Sequence, residues 1–265
     1  MKIITVIQAR VGSSRLPGKA LLPILGKPLL YRIVERVSAA RHVGTIVVAT
    51  SNEPQDDAIV EMCVMDGIQC IRGSESDLLD RHFLSANLFK ADIIAKIPSD
   101  CPLIDPVIID KVFLTFLEEC GDVDFVSNLH PATYPDGNDV EVMTMQALTT
   151  AWQGATRDFE REHTTPFIWE RPELFKMKNV DWETGLNYSM SHRWTIDYIE
   201  DYQFIKTVYE NLYLENPAFG LNDILELLES NPEIAKINRK FAGMNWYRSH
   251  LDELKTISDE QTVLV

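Results

Sequence analysis

Short apolar runs alternate with amphipathic segments through the first half of the chain. Runs of apolar or β-branched residues, each of a length that fits a buried strand, cover residues 3–7, 45–49, 69–72, 92–97 and 123–126. Apolar residues recur at helical spacing between these runs, which predicts helices after Pro28, over 56–65, over 78–89 and after Pro106. This alternation indicates βαβ units and an α/β fold with a mostly parallel, Rossmann-like sheet that helices cover on both faces.

The regular alternation stops between about His130 and Tyr188. A turn sequence, Tyr-Pro-Asp-Gly-Asn-Asp, opens this region, and shorter strands and helices are expected after it. We interpret residues 130–190 as a smaller inserted α+β subregion within a single domain of residues 1–265.

The last part of the chain returns to a regular pattern. We predict a strand at 194–197, followed by an amphipathic helix that runs through Tyr213. Residues 216–265 then form a helical extension that contains a helix at 221–228. The tail after about Ile257 lacks periodicity and is expected to fray.

Composition and charge narrow the classes of function. The chain has 265 residues and is 45% hydrophobic, so it can bury a full core. Its formal net charge of −15 opposes binding to a nucleic-acid backbone, which depends on an excess of Lys and Arg. No apolar run approaches the roughly 20 residues that span a bilayer, and the N-terminal run turns polar too early for a signal peptide. The 4 cysteines have neither zinc-site spacing nor the density of a disulfide scaffold. We therefore expect a cytoplasmic protein without nucleic-acid or membrane partners.

The loop after the first predicted strand combines glycines, serines and cations. Glycine lets backbone N–H groups approach phosphate oxygens, hydroxyl groups add donors, and cations offset the charge that develops when an α-phosphorus is attacked. The loop leaves the strand at the edge where α/β sheets bind ligands, which favours a triphosphate site over a solvated loop with incidental arginines. It is not a Walker loop, because Lys19 is followed by alanine. The candidate nucleotide-binding residues here are Gln8, Ala9, Arg10, Gly12, Ser13, Ser14, Arg15 and Lys19.

Two aspartates follow predicted strands. Asp100 lies just past the strand that ends near Pro98, and Asp197 ends the predicted strand 194–197, so both should project from one edge of the sheet. Mg²⁺ prefers oxygen ligands and usually takes one or two carboxylates, so this pair could share one Mg²⁺. Alternatively, Asp100 caps a turn and Asp197 caps the next helix. Asp201 fits an acidic residue of a first helical turn.

The loop sequence Gln-Ala-Arg-Val-Gly-Ser-Ser-Arg-Leu-Pro-Gly-Lys, followed by Gly-Lys-Pro-Leu-Leu, resembles the cytidylyltransferases that activate acidic sugars. The branch it resembles most is the spore coat polysaccharide biosynthesis protein F-like group, related to 3-deoxy-manno-octulosonate and acylneuraminate cytidylyltransferases. Further matching motifs, which extend the resemblance over roughly residues 1–240, lie at 73–81, 98–105, 134–141, 161–163 and 193–201.

This resemblance implies a fold of the nucleotide-diphospho-sugar transferase type and a Mg²⁺-dependent reaction. CMP would pass from CTP to a small acidic or phosphorylated sugar, with release of pyrophosphate, in surface polysaccharide biosynthesis. Arg15, Lys19, Asp100 and Asp197 would be the catalytic residues, and the two aspartates would ligate Mg²⁺. No covalent intermediate is needed, since positioning and charge stabilisation suffice for such a transfer.

The resemblance also implies further nucleotide contacts from Asp77, Arg81 and Ser99. Asp77 and Arg81 are four residues apart at a predicted helix start, so a helical ion pair is the alternative for them.

The inserted subregion would hold the acceptor and part of a homodimer interface. The implied acceptor-binding residues are Asp139, Glu141, Arg161, His163 and Arg193. A hydrogen-bonded structural role is the alternative for His163, and an ordinary salt bridge is the alternative for Arg193.

Two other classes of function remain open. A glycosyltransferase that consumes a nucleotide-sugar has a similar sheet and also uses acidic residues with a metal, but it would release a nucleoside diphosphate. A non-catalytic nucleotide-binding protein would bind nucleotide without turnover. The joint presence of Arg15, Lys19, Asp100 and Asp197 favours the transferase.

Overall fold

The computed structural model describes residues 1–263. The strands are β1 (Ile3–Gln8), β2 (Pro23–Ile24), β3 (Lys27–Pro28), β4 (Thr45–Ser51), β5 (Gln69–Gly73), β6 (Ile93–Pro98), β7 (Phe125–Ser127), β8 (Glu141–Thr144) and β9 (Met177–Asn179). The α-helices are α1 (Leu29–Ser38), α2 (Asp57–Met65), α3 (Leu78–Phe89), α4 (Pro106–Glu118), α5 (Met145–Gly154), α6 (Asp158–His163), α7 (Pro166–Trp169), α8 (Ile199–Leu212), α9 (Leu221–Ser230) and α10 (Pro232–Lys236).

Seven strands form one sheet in the order β5-β4-β1-β6-β8-β7-β9. The pairs β5–β4, β4–β1 and β1–β6 are parallel. Strand β8 runs antiparallel to both β6 and β7, and β9 is parallel to β7. The remaining strands, β2 and β3, form a short antiparallel hairpin before α1. The predicted mostly parallel α/β sheet is confirmed.

The central strand β1 shows why an unbroken apolar run folds here. Ile4, Val6 and Ile7 have no exposed surface, because both faces of the strand are covered. Ile7 packs on the face that contains α1, α4 and α8. Ile4 and Val6 pack on the opposite face, with residues of α3, α5 and α7. The ends of β1 and β6 therefore sit between two rigid layers.

The segment 130–190 is built into the main sheet. It contributes β8 and β9 to the sheet, and residues of α5 and α7 pack in the same apolar cluster as Ile4 of β1. Trp169 and Trp182 are buried in the core. The short strands and helices expected here are confirmed, but they do not form a separate layer.

Residues 194–197 do not form the predicted strand. The Trp194 N–H donates to Asp136 O at 2.7 Å, and the Ile196 N–H donates to Asp100 O at 3.0 Å. The backbone therefore bonds to two loops at the end of the sheet instead of to a neighbouring strand. Trp194 and Ile196 are buried, so the apolar pattern of this segment reflects burial without pairing.

The C-terminal extension is ordered further than expected. Beyond α10 it forms 3-10 turns at Arg239–Phe241, Trp246–Ser249 and Asp259–Gln261. The Val263 N–H donates to Gly243 O at 2.9 Å. The expected fraying after Ile257 is therefore wrong as far as Val263, and the last two residues lie outside the described part of the chain. Among residues 1–263, no helix is long and apolar enough to cross a membrane.

Candidate active site

The loop after β1 is anchored by a carboxylate that sequence reasoning missed. The Val11 N–H donates to Asp56 Oδ1 at 2.7 Å, and Asp56 is fully buried. Its other oxygen accepts from the backbone and hydroxyl of Ser51 at the end of β4. Gly18 closes the loop with a φ of 74°, a left-handed conformation that favours glycine. In the sequence, Asp56 is only the first residue of the predicted helix 56–65, so nothing distinguishes it from a helix cap.

The loop offers donors to an anion. The backbone N–H groups of Gly12, Ser14 and Arg15 donate to no acceptor within residues 1–263. A Cβ at position 12 would lie 2.9 Å from Gln55 Nε2, so glycine also allows close packing at this point. Free backbone N–H groups close together in a loop suit phosphate oxygens.

Lys19 joins the loop to the two predicted carboxylates. Its Nζ donates to Ile196 O at 2.7 Å and to Asp197 Oδ1 at 3.0 Å. The same Nζ lies 3.7 Å from Asp100 Oδ2. Asp100 and Asp197 thus lie together at the end of the sheet as predicted, with Lys19 between them, although Asp197 is on a loop and not at the end of a strand.

Asp197 is held as a carboxylate by its neighbours. Arg15 Nη2 lies 2.7 Å from Asp197 Oδ1, and Arg193 Nη2 donates to Oδ2 at 3.2 Å. Burial alone raises the pKa of Asp197, but Lys19 and Arg15 outweigh burial and hold this pKa below its usual value. The Asp197 carboxylate does not cap α8. The N-cap position is Tyr198, and the backbone N–H groups of Asp197 and Tyr198 both donate to the Asp201 carboxylate. The expected role of Asp201 as a first-turn acid is confirmed.

The chemistry of this pair suits Mg²⁺. Carboxylate oxygens of Asp100 and Asp197 face the same Lys19 ammonium group, and such oxygens are the hard ligands that Mg²⁺ prefers. Mg²⁺ commonly binds one or two carboxylates together with substrate phosphates. No cluster of three or more His, Cys, Asp or Glu among residues 1–263 is placed to hold a metal. A metal at this site would therefore depend on the pair and on phosphate oxygens.

Arg193 is a buried structural cation. Its guanidinium bonds Asp201 through Nε at 3.0 Å and Nη2 at 3.1 Å, and Nη1 donates to Met244 O at 2.8 Å. Burial lowers the pKa of Arg193, but the Asp201 hydrogen bonds and nearby carboxylates raise it further. Only 1% of the Arg193 side chain is exposed, so the structure supports the alternative of an internal salt bridge and not the expected contact with the acceptor.

Arg161 is likewise committed to an internal ion pair. Its Nε donates to Asp77 Oδ2 at 2.9 Å, while Asp77 Oδ1 accepts from the Asp80 N–H and caps α3. The alternative ion pair between Asp77 and Arg81 is therefore wrong. Arg81 is 1% exposed and donates to Ala49 O at 3.1 Å. Burial, and then the charge of Arg10, lower the pKa of Arg81 to about 10.

Two adjoining cavities open at the carboxyl ends of β1 and β6. The smaller, which we call the loop cavity, has a volume of about 410 Å³. The larger, the insert cavity, has a volume of about 520 Å³. The predicted nucleotide-binding residues that line the loop cavity are Gln8, Ala9, Arg10, Ser13, Ser14, Arg15, Lys19, Arg81, Ser99 and Asp100. Gly12 and Asp77 line neither cavity.

The insert cavity receives three of the predicted acceptor-binding residues, Asp139, Glu141 and His163. Burial, followed by the charges of Asp100 and Glu141, raises the pKa of Asp139 to about 7. Glu141 pairs with Lys96 on the neighbouring strand and accepts from Thr165 Oγ1 at 2.6 Å. Arg161 and Arg193 do not reach this cavity.

His163 lies where the two cavities meet. Its ring stacks on Trp246, with centroids 3.7 Å apart and planes 14° apart. Burial, and then Lys96, lower the pKa of His163 to about 3, so the imidazole is neutral at pH 7. Sequence reasoning placed no site residue after Asp201, yet Trp246 lines both cavities. The aromatic and polar run Asn-Trp-Tyr-Arg in a tail without periodicity was the available signal.

A mostly parallel sheet with a cationic loop and two carboxylates at its carboxyl edge places the chain in the nucleotide-diphospho-sugar transferase fold class. Within that class, the chain belongs to the cytidylyltransferase family, whose family model matches residues 4–224.

Similar proteins cover nearly the whole chain. An uncharacterised protein of Methanocaldococcus jannaschii is 36% identical over 238 residues, which are 90% of this chain and 95% of that protein. The spore coat polysaccharide biosynthesis protein SpsF of Bacillus subtilis is 31% identical over 88% of this chain and 96% of its own length. The solved structure of a cytidylyltransferase from Leptospira borgpetersenii is 34% identical, has a TM-score of 0.83, and covers 89% of this chain and 97% of its own.

Proposed function

We propose that this protein transfers CMP from CTP to a small acidic or phosphorylated sugar, with release of pyrophosphate, in surface polysaccharide biosynthesis. The observation that carries the proposal is the position of Lys19, whose Nζ lies between Asp100 and Asp197 beside a loop with free backbone N–H groups. Membership of the cytidylyltransferase family supports the choice of nucleotide. The polysaccharide context rests on the similarity to SpsF.

The reaction needs one bond formed and one bond broken at phosphorus. An oxygen of the sugar attacks the α-phosphorus of CTP in line, the bond to the β-phosphate oxygen breaks, and pyrophosphate leaves. The backbone N–H groups at 12, 14 and 15 bind phosphate oxygens, while Arg15 and Lys19 offset the charge that grows on the leaving group. The proton of the attacking hydroxyl passes to water or to a carboxylate that lines the site.

Asp100 and Asp197 are proposed to hold the Mg²⁺ that such a transfer uses. When bound, the metal would neutralise charge on the phosphates and help to align them. The chain's own contribution is to keep Asp197 ionised through Lys19 and Arg15, so that the carboxylate is available at neutral pH.

The insert cavity is the proposed acceptor site. Its carboxylates, Asp139 and Glu141 among them, can accept hydrogen bonds from sugar hydroxyl groups. Lys96 and Arg15 are cations on its wall, and they would meet the anionic group of the acceptor. The homodimer remains a proposal. Two tryptophans of the insert, Trp169 and Trp182, are buried within the chain and would not contribute to such an interface.

The shift in melting temperature with each nucleoside triphosphate tests the selectivity for cytidine. With Mg²⁺ present, we expect CTP to raise the melting temperature more than ATP, GTP or UTP does. A ligand that binds only the folded state stabilises it by about 2.7 kcal/mol at a hundred times its Kd.

The variant Lys19→Met tests whether the shift depends on the ammonium group of Lys19. It keeps a long side chain but removes the ammonium that faces Asp100 and Asp197, so the CTP shift should shrink. Equal shifts for all four triphosphates in the wild-type protein would contradict the proposed selectivity for cytidine.

A further inference from the structure

The segment after residue 242 returns to the carboxyl edge of the sheet and completes the wall of the active site. Met244 O accepts from the buried Arg193, and Asn245 Nδ2 donates to Gln261 O at 2.8 Å. The segment is thus fixed to the body of the protein on one side and to its own continuation on the other. It lies beyond residue 224, where the family match ends, so the shared family pattern does not account for it.

An aromatic contact fixes the turn Trp246–Ser249 over the site. Trp246 stacks on His163 and lies 6.3 Å from the ring of Phe159 and 6.2 Å from that of Trp169. The Tyr247 N–H donates to Asn245 Oδ1 at 3.1 Å and caps the turn. This packing places the next residue, Arg248, on the wall of the loop cavity.

Arg248 differs from the other cations of the loop cavity. Arg15 and Lys19 both contact Asp197, and Arg10 lies 4.0 Å from Glu75. Arg81 is buried and donates to a backbone carbonyl. Arg248 forms no ion pair within residues 1–263, and its side chain donates no hydrogen bond there. In a chain of net charge −15, a partly exposed arginine that forms no ion pair among the described residues is available to an external anion.

We propose that Arg248 binds the phosphates of the nucleoside triphosphate, as a further nucleotide-binding residue supplied by the C-terminal segment. The inference rests on the proposed function for the identity of the anion. The side chain lines the loop cavity and not the insert cavity, so it belongs with the phosphates and not with the acceptor. A guanidinium can donate two parallel hydrogen bonds to one phosphate, which suits this task.

The test compares Arg248→Met with Arg239→Met in the full-length protein. Methionine keeps much of the apolar stem but removes the charge. Arg239 is a matched control, because it lies shortly before this segment in the C-terminal extension, is exposed and lines neither cavity. Calorimetric titration with CTP and with cytidine, both with Mg²⁺, and steady-state KM values for CTP and the acceptor provide the readouts.

We expect Arg248→Met to weaken CTP binding by about tenfold or more, which is about 1.4 kcal/mol. Cytidine binding, the KM for the acceptor and the melting temperature of the free protein should stay at the values of Arg239→Met. CTP binding equal to that of Arg239→Met overturns the inference and leaves the proposed function intact. A rise only in the acceptor KM overturns the assignment to the nucleotide. A wild-type protein that binds no triphosphate overturns both the inference and the proposed function.

Discussion

At the scale of residues, two aspartates four positions apart have different environments. Asp197 faces the cavities and shares Lys19 with Asp100. Asp201 has no exposed surface and accepts from Arg193, from Asn238 and from two backbone N–H groups. Both Asp201 oxygens are therefore occupied by hydrogen bonds within the protein. The Asp197 carboxylate, in contrast, faces the cavities, where a ligand can reach it.

The variants Asp197→Asn and Asp201→Asn should separate turnover from stability. Asp197→Asn should lower turnover by about a hundredfold or more, because it removes the negative charge of a carboxylate that is proposed to hold Mg²⁺ against the reacting phosphates. Its free energy of unfolding should fall by less than that of Asp201→Asn, since Arg193 retains Asp136 and Asp201 as partners and Lys19 retains Asp100 and Ile196 O. Asp201→Asn places an amide N–H₂ against donors and should cost about 3–5 kcal/mol in the free energy of unfolding.

Chemical denaturation and pyrophosphate release measured on both variants check these expectations. Normal turnover in Asp197→Asn would remove this residue from the catalytic site. An unchanged unfolding free energy in Asp201→Asn would contradict the structural role of the buried pair.

Which site residues could be predicted depends on how locally they are specified. Lys19 and Asp100 follow adjacent parallel strands, so the sheet alone places them together. Arg161 and Arg193 carry the charge that an anion needs, but internal aspartates hold both of them. Sequence shows the charge of an arginine and not its partner, because the partner is chosen by the tertiary fold.

At the scale of elements, one carboxylate joins two helices on the side of the sheet that carries α8. Asp105 Oδ1 accepts from the Val107 N–H at 2.7 Å and caps α4. Asp105 Oδ2 accepts from the Leu221 N–H at 2.6 Å, at the start of α9. A Cβ at Gly220 would lie 2.7 Å from the same oxygen, so glycine is needed for this approach.

The variant Asp105→Ala should therefore lose two helix caps at once. A single cap is worth about 0.5–2 kcal/mol, so we expect a loss of roughly 1–4 kcal/mol in the free energy of unfolding. Thr144→Ala removes one cap, from the Ala147 N–H of α5, and is the matched control with about half that loss. Urea denaturation of both variants decides the matter, and a loss in Asp105→Ala no larger than in Thr144→Ala would show that the two helices are not coupled through this residue.

Sequence patterns predicted elements well where the pattern arises from a paired strand or a packed helix. The strands β1, β4, β5 and β6 and the helices between them appear where periodicity put them. The run at 194–197 misled because an apolar segment can be buried at the end of a sheet without pairing to it. The order of the C-terminal tail was not predicted, because its contacts are made by individual side chains such as Trp246 and not by a periodic apolar face.

At the scale of the whole molecule, the distribution of charge matters more than its sum. The net charge is −15, yet five of the 25 Lys and Arg residues line the loop cavity. They are Arg10, Arg15, Lys19, Arg81 and Arg248. Such a local concentration of cations in an acidic protein attracts a small anion. The loop pattern predicted Arg10, Arg15 and Lys19, and the family resemblance added Arg81, but Arg248 comes from a segment outside the family match.

The measurement that tests the account most directly is product analysis with the wild-type protein and Asp197→Asn. Each of the four nucleoside triphosphates is incubated with Mg²⁺ and a panel of acidic and phosphorylated sugars, while pyrophosphate and nucleotide-sugar are recorded. Nucleotide-sugars are incubated in parallel, while free nucleoside diphosphate is recorded. The account predicts pyrophosphate and a CMP-sugar in equal amounts from CTP and one class of sugar, with the product greatly reduced for Asp197→Asn. Release of a free nucleoside diphosphate from a nucleotide-sugar, or CTP binding without any pyrophosphate across the panel, would contradict it.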